Sequence, residues 1–383
     1  MPASSSDSRS TARAHVALAV TFVAFGALDG TWAARLPALK HRLGLDSGQL
    51  GVVLFIVTLV ATLFLPVAGW LAARLGSRAP TALGLVLACA GLTGAAFAPS
   101  YATLVVAVCV LGAGWGVADV AANAHGVTLE ARMGRPILSM LHGMWSFGLL
   151  AGSGIAAGAA AAAISPRLQF PVVVAAVLVL VATFVPRLLS GTAADVDSAH
   201  FALPRGALAL PAFLTFCALF IEFGAMNWSA VFLAGPVSSS ATVAAGAVVV
   251  YAVSMAFARL GGDRLLTRWG VGRLARYSGA LTCVGIALAL ATRSPVPALA
   301  GFGLVGAGCA AIVPALFRVG GSVPGVSSGA GIAAVATSGY AGAVVSGPAI
   351  GFLARGIGLT GAMSLIGVSA AVIALLGPRL EQR

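Results

Sequence analysis

Long apolar runs, separated by short turns that carry arginine, recur along the whole 383-residue chain. A helix rises 1.5 Å per residue, so about 20 apolar residues are needed to cross a bilayer. By that measure the pattern predicts twelve segments, near residues 15–36, 49–72, 80–98, 102–126, 137–163, 169–188, 207–234, 240–260, 273–292, 296–317, 328–353 and 358–377. One internal stretch breaks the rhythm: PRLLSGTAADVDSAHFALPR, residues 186–205, is polar and has no spanning pattern. It divides the chain into a first six-helix bundle, residues 1–188, a linker, 189–206, and a second bundle, 207–383. The expected fold is an all-α membrane protein of twelve transmembrane helices in two pseudo-symmetric six-helix bundles.

Composition supports the membrane assignment. Hydrophobic residues make up 60% of the chain and charged residues 8%, against about 25% charged in soluble domains. Many of the 49 glycines lie inside apolar runs, where small residues let helices approach without a hydrophobic driving force. The net charge of +12 does not imply a nucleic-acid partner, because the basic residues sit in short loops, where they orient a membrane protein. With the N-terminus inside, sixteen arginines fall on inner segments and six basic residues on outer ones. Both termini are therefore expected in the cytoplasm. The cysteines, Cys89, Cys109, Cys217, Cys283 and Cys309, all lie in apolar runs without C-x-x-C spacing, so neither disulfides nor zinc is expected. The first apolar run exceeds the length of a signal peptide and reads as a retained helix.

The halves match weakly at an offset near 195 residues. GTW (30–32) aligns with MNW (226–228), and LHGMWSFGLLAGSG (141–154) with ATSGYAGAVVSGP (336–348). GWLAARLGSR (69–78) aligns with RLGGDRLLTR (259–268). Two such halves describe a transporter layout in which solute binds between them near the bilayer midplane.

These features resemble the major facilitator superfamily over the whole chain. The loop after the second helix reads roughly G-x-L-A-D-R-x-G-R-K in that superfamily. Gly69, Leu71, Ala72, Arg74, Gly76 and Arg78 fit, whereas Ala73 replaces the acid and Ser77 a base. In the second half Asp263, Arg264 and Arg268 fit, while Arg259 and Leu266 replace glycines. Arg74, Arg78, Asp263, Arg264 and Arg268 are thus implied as a cytoplasmic gate. TWAARLPALKHRLGL (31–45), GVADVAANAHG (116–126), LHGMWSFG (141–148) and EFGAMNWSAVFL (222–233) are similar to the fucose-permease-like branch of bacterial permeases. That branch implies a protein of the bacterial cytoplasmic membrane, with proton-coupling acids in helices 1 and 4. Asp29 and Asp119 stand in those helices here.

Ionisable groups inside apolar spans cost about 2.5–3.5 kcal/mol each on insertion scales and usually face a water-filled path or a partner. Trp115, Asp119 and Asn123 share a helical face, a polar stripe with an aromatic edge suited to a sugar-like ligand. Asp119 reads either as a proton and solute site or as a packing hydrogen bond. Asp29 has the same two readings, with Arg35 as an alternative partner, and Trp32 follows it within one turn. Glu222 shares its face with Met226 and Ser229, and Asn227 and Trp228 lie further round. His142, in line with Trp145 and Ser146, is either a proton relay or a hydrogen-bonded packing residue. His125 is expected at the interface, at the end of the fourth helix.

GFGLVGAG (301–308) contains G-x-G-x-x-G, but it lacks a preceding strand and a following acid, so dinucleotide binding is rejected. GPAIG (347–351) resembles a drug/proton antiporter motif, but it lies in the eleventh segment rather than the fifth, which reads GSGIAAG (152–158). No nucleophile–base pair or phosphate loop appears, so no enzyme and no cofactor are expected. The leading expectation is a monomeric secondary transporter importing a sugar or related metabolite with protons. The alternatives are a drug/proton antiporter and a non-transporting membrane sensor.

Overall fold

The computed structural model describes residues 5–135, 137–190 and 204–382, which form eleven α-helices and short 3-10 turns. The helices are α1 (Ser5–Arg42), α2 (Ser47–Leu75), α3 (Arg78–Phe97), α4 (Tyr101–Met133), α5 (Leu138–Ala161), α6 (Pro166–Phe184), α7 (Ala209–Ala234), α8 (Ala241–Ala291), α9 (Pro295–Cys309), α10 (Ile312–Gly321) and α11 (Ser328–Leu376). Among the described residues, eleven helical stretches are long and apolar enough to cross a membrane, and none of the described residues is a strand. With no water to bond the backbone inside lipid, helices that satisfy their own amides are the expected solution.

Local chemistry sets the helix ends. The Ser100 hydroxyl accepts the Thr103 amide, and Thr103 Oγ1 accepts the Ser100 amide, a reciprocal cap at the start of α4. Gly134 ends α4 in the left-handed region at φ 62°, a conformation that favours glycine. Glu130 then reaches over the turn, its Oε1 accepting the amides of Ile137 and Leu138 at 2.6 and 2.9 Å. A carboxylate there meets the exposed amides of the α5 N-terminus. Two long helices are interrupted: Gly270 inside α8 (φ 73°, ψ 168°) and Gly358 inside α11 (φ 75°, ψ 163°) are not helical. After the first break, Glu381 Oε1 accepts the amides of Gly272 and Arg273.

The chain's contacts group it into two compact units. One comprises residues 1–32, 56–155 and 164–199; the other comprises 33–55, 156–163 and 200–383. In the first unit α1 and α5 cross backbone to backbone. A Cβ on Gly26 would strike Trp145 O, one on Gly30 would strike Leu149 O, and one on Gly148 would strike Val23 O. In the second unit α7 and α11 do the same, with a Cβ on Gly342 aimed at Phe216 O. Gly148 and Gly342 are 194 residues apart, and Val23 and Phe216 are 193 apart. The weak sequence repeat thus corresponds to a repeated helix crossing.

Candidate functional site

The α1–α5 crossing fixes the first group of polar side chains. Asp29 is 8% exposed, and its Oδ2 accepts the Trp145 indole N–H at 2.8 Å. The glycine contacts on either side hold the two backbones together, so this bond joins groups with little freedom to drift. On α4 the i+4 spacing of Asp119 and Asn123 appears directly as a hydrogen bond. Asn123 Nδ2 donates to Asp119 Oδ1 at 2.9 Å and to Asp119 O at 2.9 Å. Asp119 and Asn123 are half-buried, and Asp119 lies near enough to Asp29 for their charges to interact. Trp115, one turn earlier, is half-buried, with its indole nitrogen enclosed and without a hydrogen-bond partner among the described residues. Trp32 is 1% exposed, and its indole nitrogen likewise has no hydrogen-bond partner among the described residues. His142 is exposed and lies edge-on to Phe22, ring centroids 5.6 Å apart.

Glu222 occupies a different setting in the second unit. The carboxylate is paired with Arg259 of α8, Nη2 to Oε1 at 3.3 Å. The Tyr251 hydroxyl donates to the Glu222 carbonyl at 3.4 Å. Sequence reasoning counts Arg259 with the loop arginines that orient the chain; the structure puts it within α8, on an acid of α7. The physical reason is that a buried carboxylate needs a counter-charge, and a guanidinium on a long stem can supply one from the next helix. Asn227 Nδ2 donates back to Phe223 O at 3.0 Å, and Trp228 is fully buried.

His125 also differs from expectation. Helix α4 continues to Met133, so His125 lies within it and is 1% exposed. Its Nδ1 lies 2.7 Å from Ser77 Oγ, and its Nε2 accepts the Leu189 amide at 3.3 Å. Burial is tolerated because both ring nitrogens have partners. Ser77 stands where the superfamily loop usually has a base, so the departure and the buried histidine belong together. No local signal reveals that pairing across 48 residues.

Among the loop residues, the Arg74 guanidinium stacks on Trp70 at 4.9 Å and is exposed. Arg78 is half-buried, Arg264 and Arg268 are exposed, and the side chain of Asp263 lies outside the described part of the structure. Among the described residues no trio of histidine, cysteine or acid gathers as a metal site would require.

No protein-family model matches the chain. An uncharacterised MFS-type transporter of Yersinia pestis is 31% identical over 363 residues, covering 94% of this chain and 92% of that protein. The membrane protein MosC of Rhizobium meliloti is 30% identical over 370 residues, covering 93% and 89%. Among solved structures, the nucleoside transporter NupG matches with TM-score 0.71 at 15% identity, over 96% of this chain and 98% of NupG. A D-xylose–proton symporter matches with TM-score 0.76 at 12% identity, over 96% of each chain. The helices and these likenesses define a multi-pass membrane protein of the transporter class. The chain belongs to the major facilitator superfamily.

Proposed function

We propose that the protein is a proton-coupled secondary transporter that imports a small polar solute, a sugar or related metabolite, by alternating access. The proposal includes twelve spans in two six-helix halves, with both termini in the cytoplasm of a bacterial inner membrane, acting as a monomer. The observation that carries it is the pairing of Asp29 with the Trp145 indole, with Asp119–Asn123 within charge reach. A buried acid with one neutral donor, beside a second acid, can hold a proton in an apolar setting, where structure alone would favour no charge. The stripe of Trp115, Asp119 and Asn123 supplies an aromatic edge and polar groups of both kinds for a hydroxylated ligand. Two fold neighbours are named for a nucleoside and for D-xylose with a proton, which supports a polar solute. The sequence likeness to the fucose-permease-like branch points the same way.

The Gly347–Pro348–Gly351 stretch does not favour drug export. Both glycines lie against α2, where Cβ atoms would press on Gly51 and Ser47, so close packing accounts for the motif.

A solute is found first by ligand-induced thermal stabilisation over sugars, polyols, nucleosides and drugs. In energised vesicles a 100 mV potential alone supports roughly 50-fold accumulation per proton moved. Asp119→Asn is expected to reduce accumulation to the equilibrium level while exchange of bound solute persists. Accumulation at the wild-type level would remove Asp119 from proton coupling.

A further inference from the structure

The turn from α1 to α2 carries Asp46, and its carboxylate has two engagements. Oδ1 accepts the Gln49 amide at 2.8 Å while Gln49 Oε1 accepts the Asp46 amide at 3.0 Å, closing the α2 N-terminus. Arg355 of α11, 309 residues away, seats its guanidinium on the same carboxylate. Its Nη2 donates to both oxygens at 2.9 Å and its Nε to Oδ1 at 3.2 Å. Arg355 also stacks on Phe352, 5.3 Å from the ring centre. The Gln49 amide, ahead of Arg355, holds the carboxyl of Asp46 below its ordinary 3.8, so the pair stays ionised at physiological pH.

Beneath this pair the two helices meet without large side chains. A Cβ on Gly51 would lie 2.8 Å from Gly347 O and 3.1 Å from Gly351 Cα. A Cβ on Gly351 would lie 2.6 Å from Ser47 O, and one on Gly48 would strike the Arg355 guanidinium. Smooth backbone surfaces can part and re-dock without disengaging interlocked side chains. The ion pair above them is half in water, with 48% and 52% of the two side chains exposed, so each partner can be rehydrated on opening. Exposed pairs of this kind are weak and reversible. Residues 33–55 accordingly group with residues 200–383 in one compact unit. The loop 69–78 lies at the other end of α2. Ala73 provides no carboxylate, and Arg74 rests on Trp70.

We propose that Asp46 and Arg355 form the outer clasp of the transporter, that breaking it opens the solute path to the outer face, and that the clasped arrangement is the resting state. The sidedness rests on the orientation proposed above.

The test uses Leu54, which is 2% exposed and packs on Gly347 beneath the clasp. Leu54→Cys in the full-length protein is labelled with a membrane-impermeant maleimide in right-side-out and inverted vesicles. Labelling is expected to be slow with the clasp intact, and at least five-fold faster from the outer face with Asp46→Asn or Arg355→Gln. Asn keeps the side-chain oxygen that caps α2, so that variant removes the charge and not the helix cap. The swap Asp46→Arg with Arg355→Asp is expected to restore slow labelling, which a misfolded protein would not do. Unchanged rates in both single variants overturn the clasp. Faster labelling from the inner face alone overturns the orientation while leaving the clasp standing. A cysteine at 54 that is already fast with the clasp intact overturns the resting-state assignment.

Discussion

A carboxylate inside a membrane is informative through what satisfies it. Asp29 has an indole N–H, Glu222 has a guanidinium and Asp119 has an amide from its own helix. These are three different electrostatic settings. The guanidinium places a positive group beside the Glu222 carboxylate, whereas the indole supplies one neutral donor to a buried Asp29 oxygen. In the function proposed above Asp29 is the acid that takes up the proton, while Glu222 is paired with Arg259 of the next helix. If the Asp29–Trp145 bond is a working interaction, removing either partner alone leaves the other buried and unsatisfied, at about 1–3 kcal/mol. Trp145→Phe and Asp29→Asn are expected to be non-additive when combined, with a coupling of about 0.5–3 kcal/mol in the unfolding free energy of the purified protein. Additive effects would show that the pair is a geometric coincidence. Asp29 and Asp119 were legible in the sequence because a charge in an apolar run stands out. The partner of Asp29 was not: Trp145 is 116 residues away, and a tryptophan in a greasy helix carries no visible mark of its hydrogen bond. Asn123 was legible, since its partner is one turn away.

At the scale of helices, glycine decides which surfaces touch. On α5, a Cβ at Gly148 would strike Val23 O and one at Gly152 would strike Ala27 O, whereas Gly143, Gly154 and Gly158 have nothing within 4 Å. The same residue type thus serves contact on one face and open space on another. Gly148→Ala is expected to destabilise the protein by at least about 1–3 kcal/mol, the usual cost of overpacking, and Gly342→Ala to do the same at the equivalent crossing. Gly143→Ala is expected to be neutral or slightly stabilising, since Ala is the better helix former by about 1 kcal/mol. Thermal unfolding in one detergent checks all three, and equal effects at Gly143 and Gly148 would refute the crossing. The helices themselves were legible from run length, and the α1–α5 and α7–α11 crossings correspond to a faint repeat in the sequence. Which glycines made contact was not, because helical period identifies a face but not what lies opposite it. The helix ends were partly legible: α4 runs on to Met133 past the apolar run, since its last turns are polar and are closed by Gly134 and Glu130 rather than by hydrophobicity.

For the molecule as a whole, the proposed topology turns on the last long helix, α11. Gly329–Glu381 forms one 53-residue helical stretch by length and composition, which at 1.5 Å per residue would extend about 80 Å, more than twice a bilayer core of about 30 Å. The non-helical Gly358 falls within it, and a reversal there gives two spans and an even total. Hydropathy places a division at 353–358 because Arg355 and several glycines interrupt the apolar run, and the non-helical Gly358 stands at the edge of that interval. What hydropathy lacked was the geometry, a single residue at φ 75° in place of a loop. The proposed topology has three exposed markers: Ala162 after α5, Ser322 after α10 and Gly356 just before the break. Single cysteines at these sites are distinguishable from the native five, each of which is buried or half-buried. In intact cells an impermeant maleimide is expected to label Ala162→Cys and Gly356→Cys, and to reach Ser322→Cys only after the membrane is opened. Five proposed spans separate the first site from the second, and one separates the second from the third. Labelling of Ser322→Cys from outside would invert the orientation or break the count. Failure at Gly356→Cys alone would mean that the stretch does not return through the membrane at Gly358, leaving an odd number of crossings and termini on opposite sides.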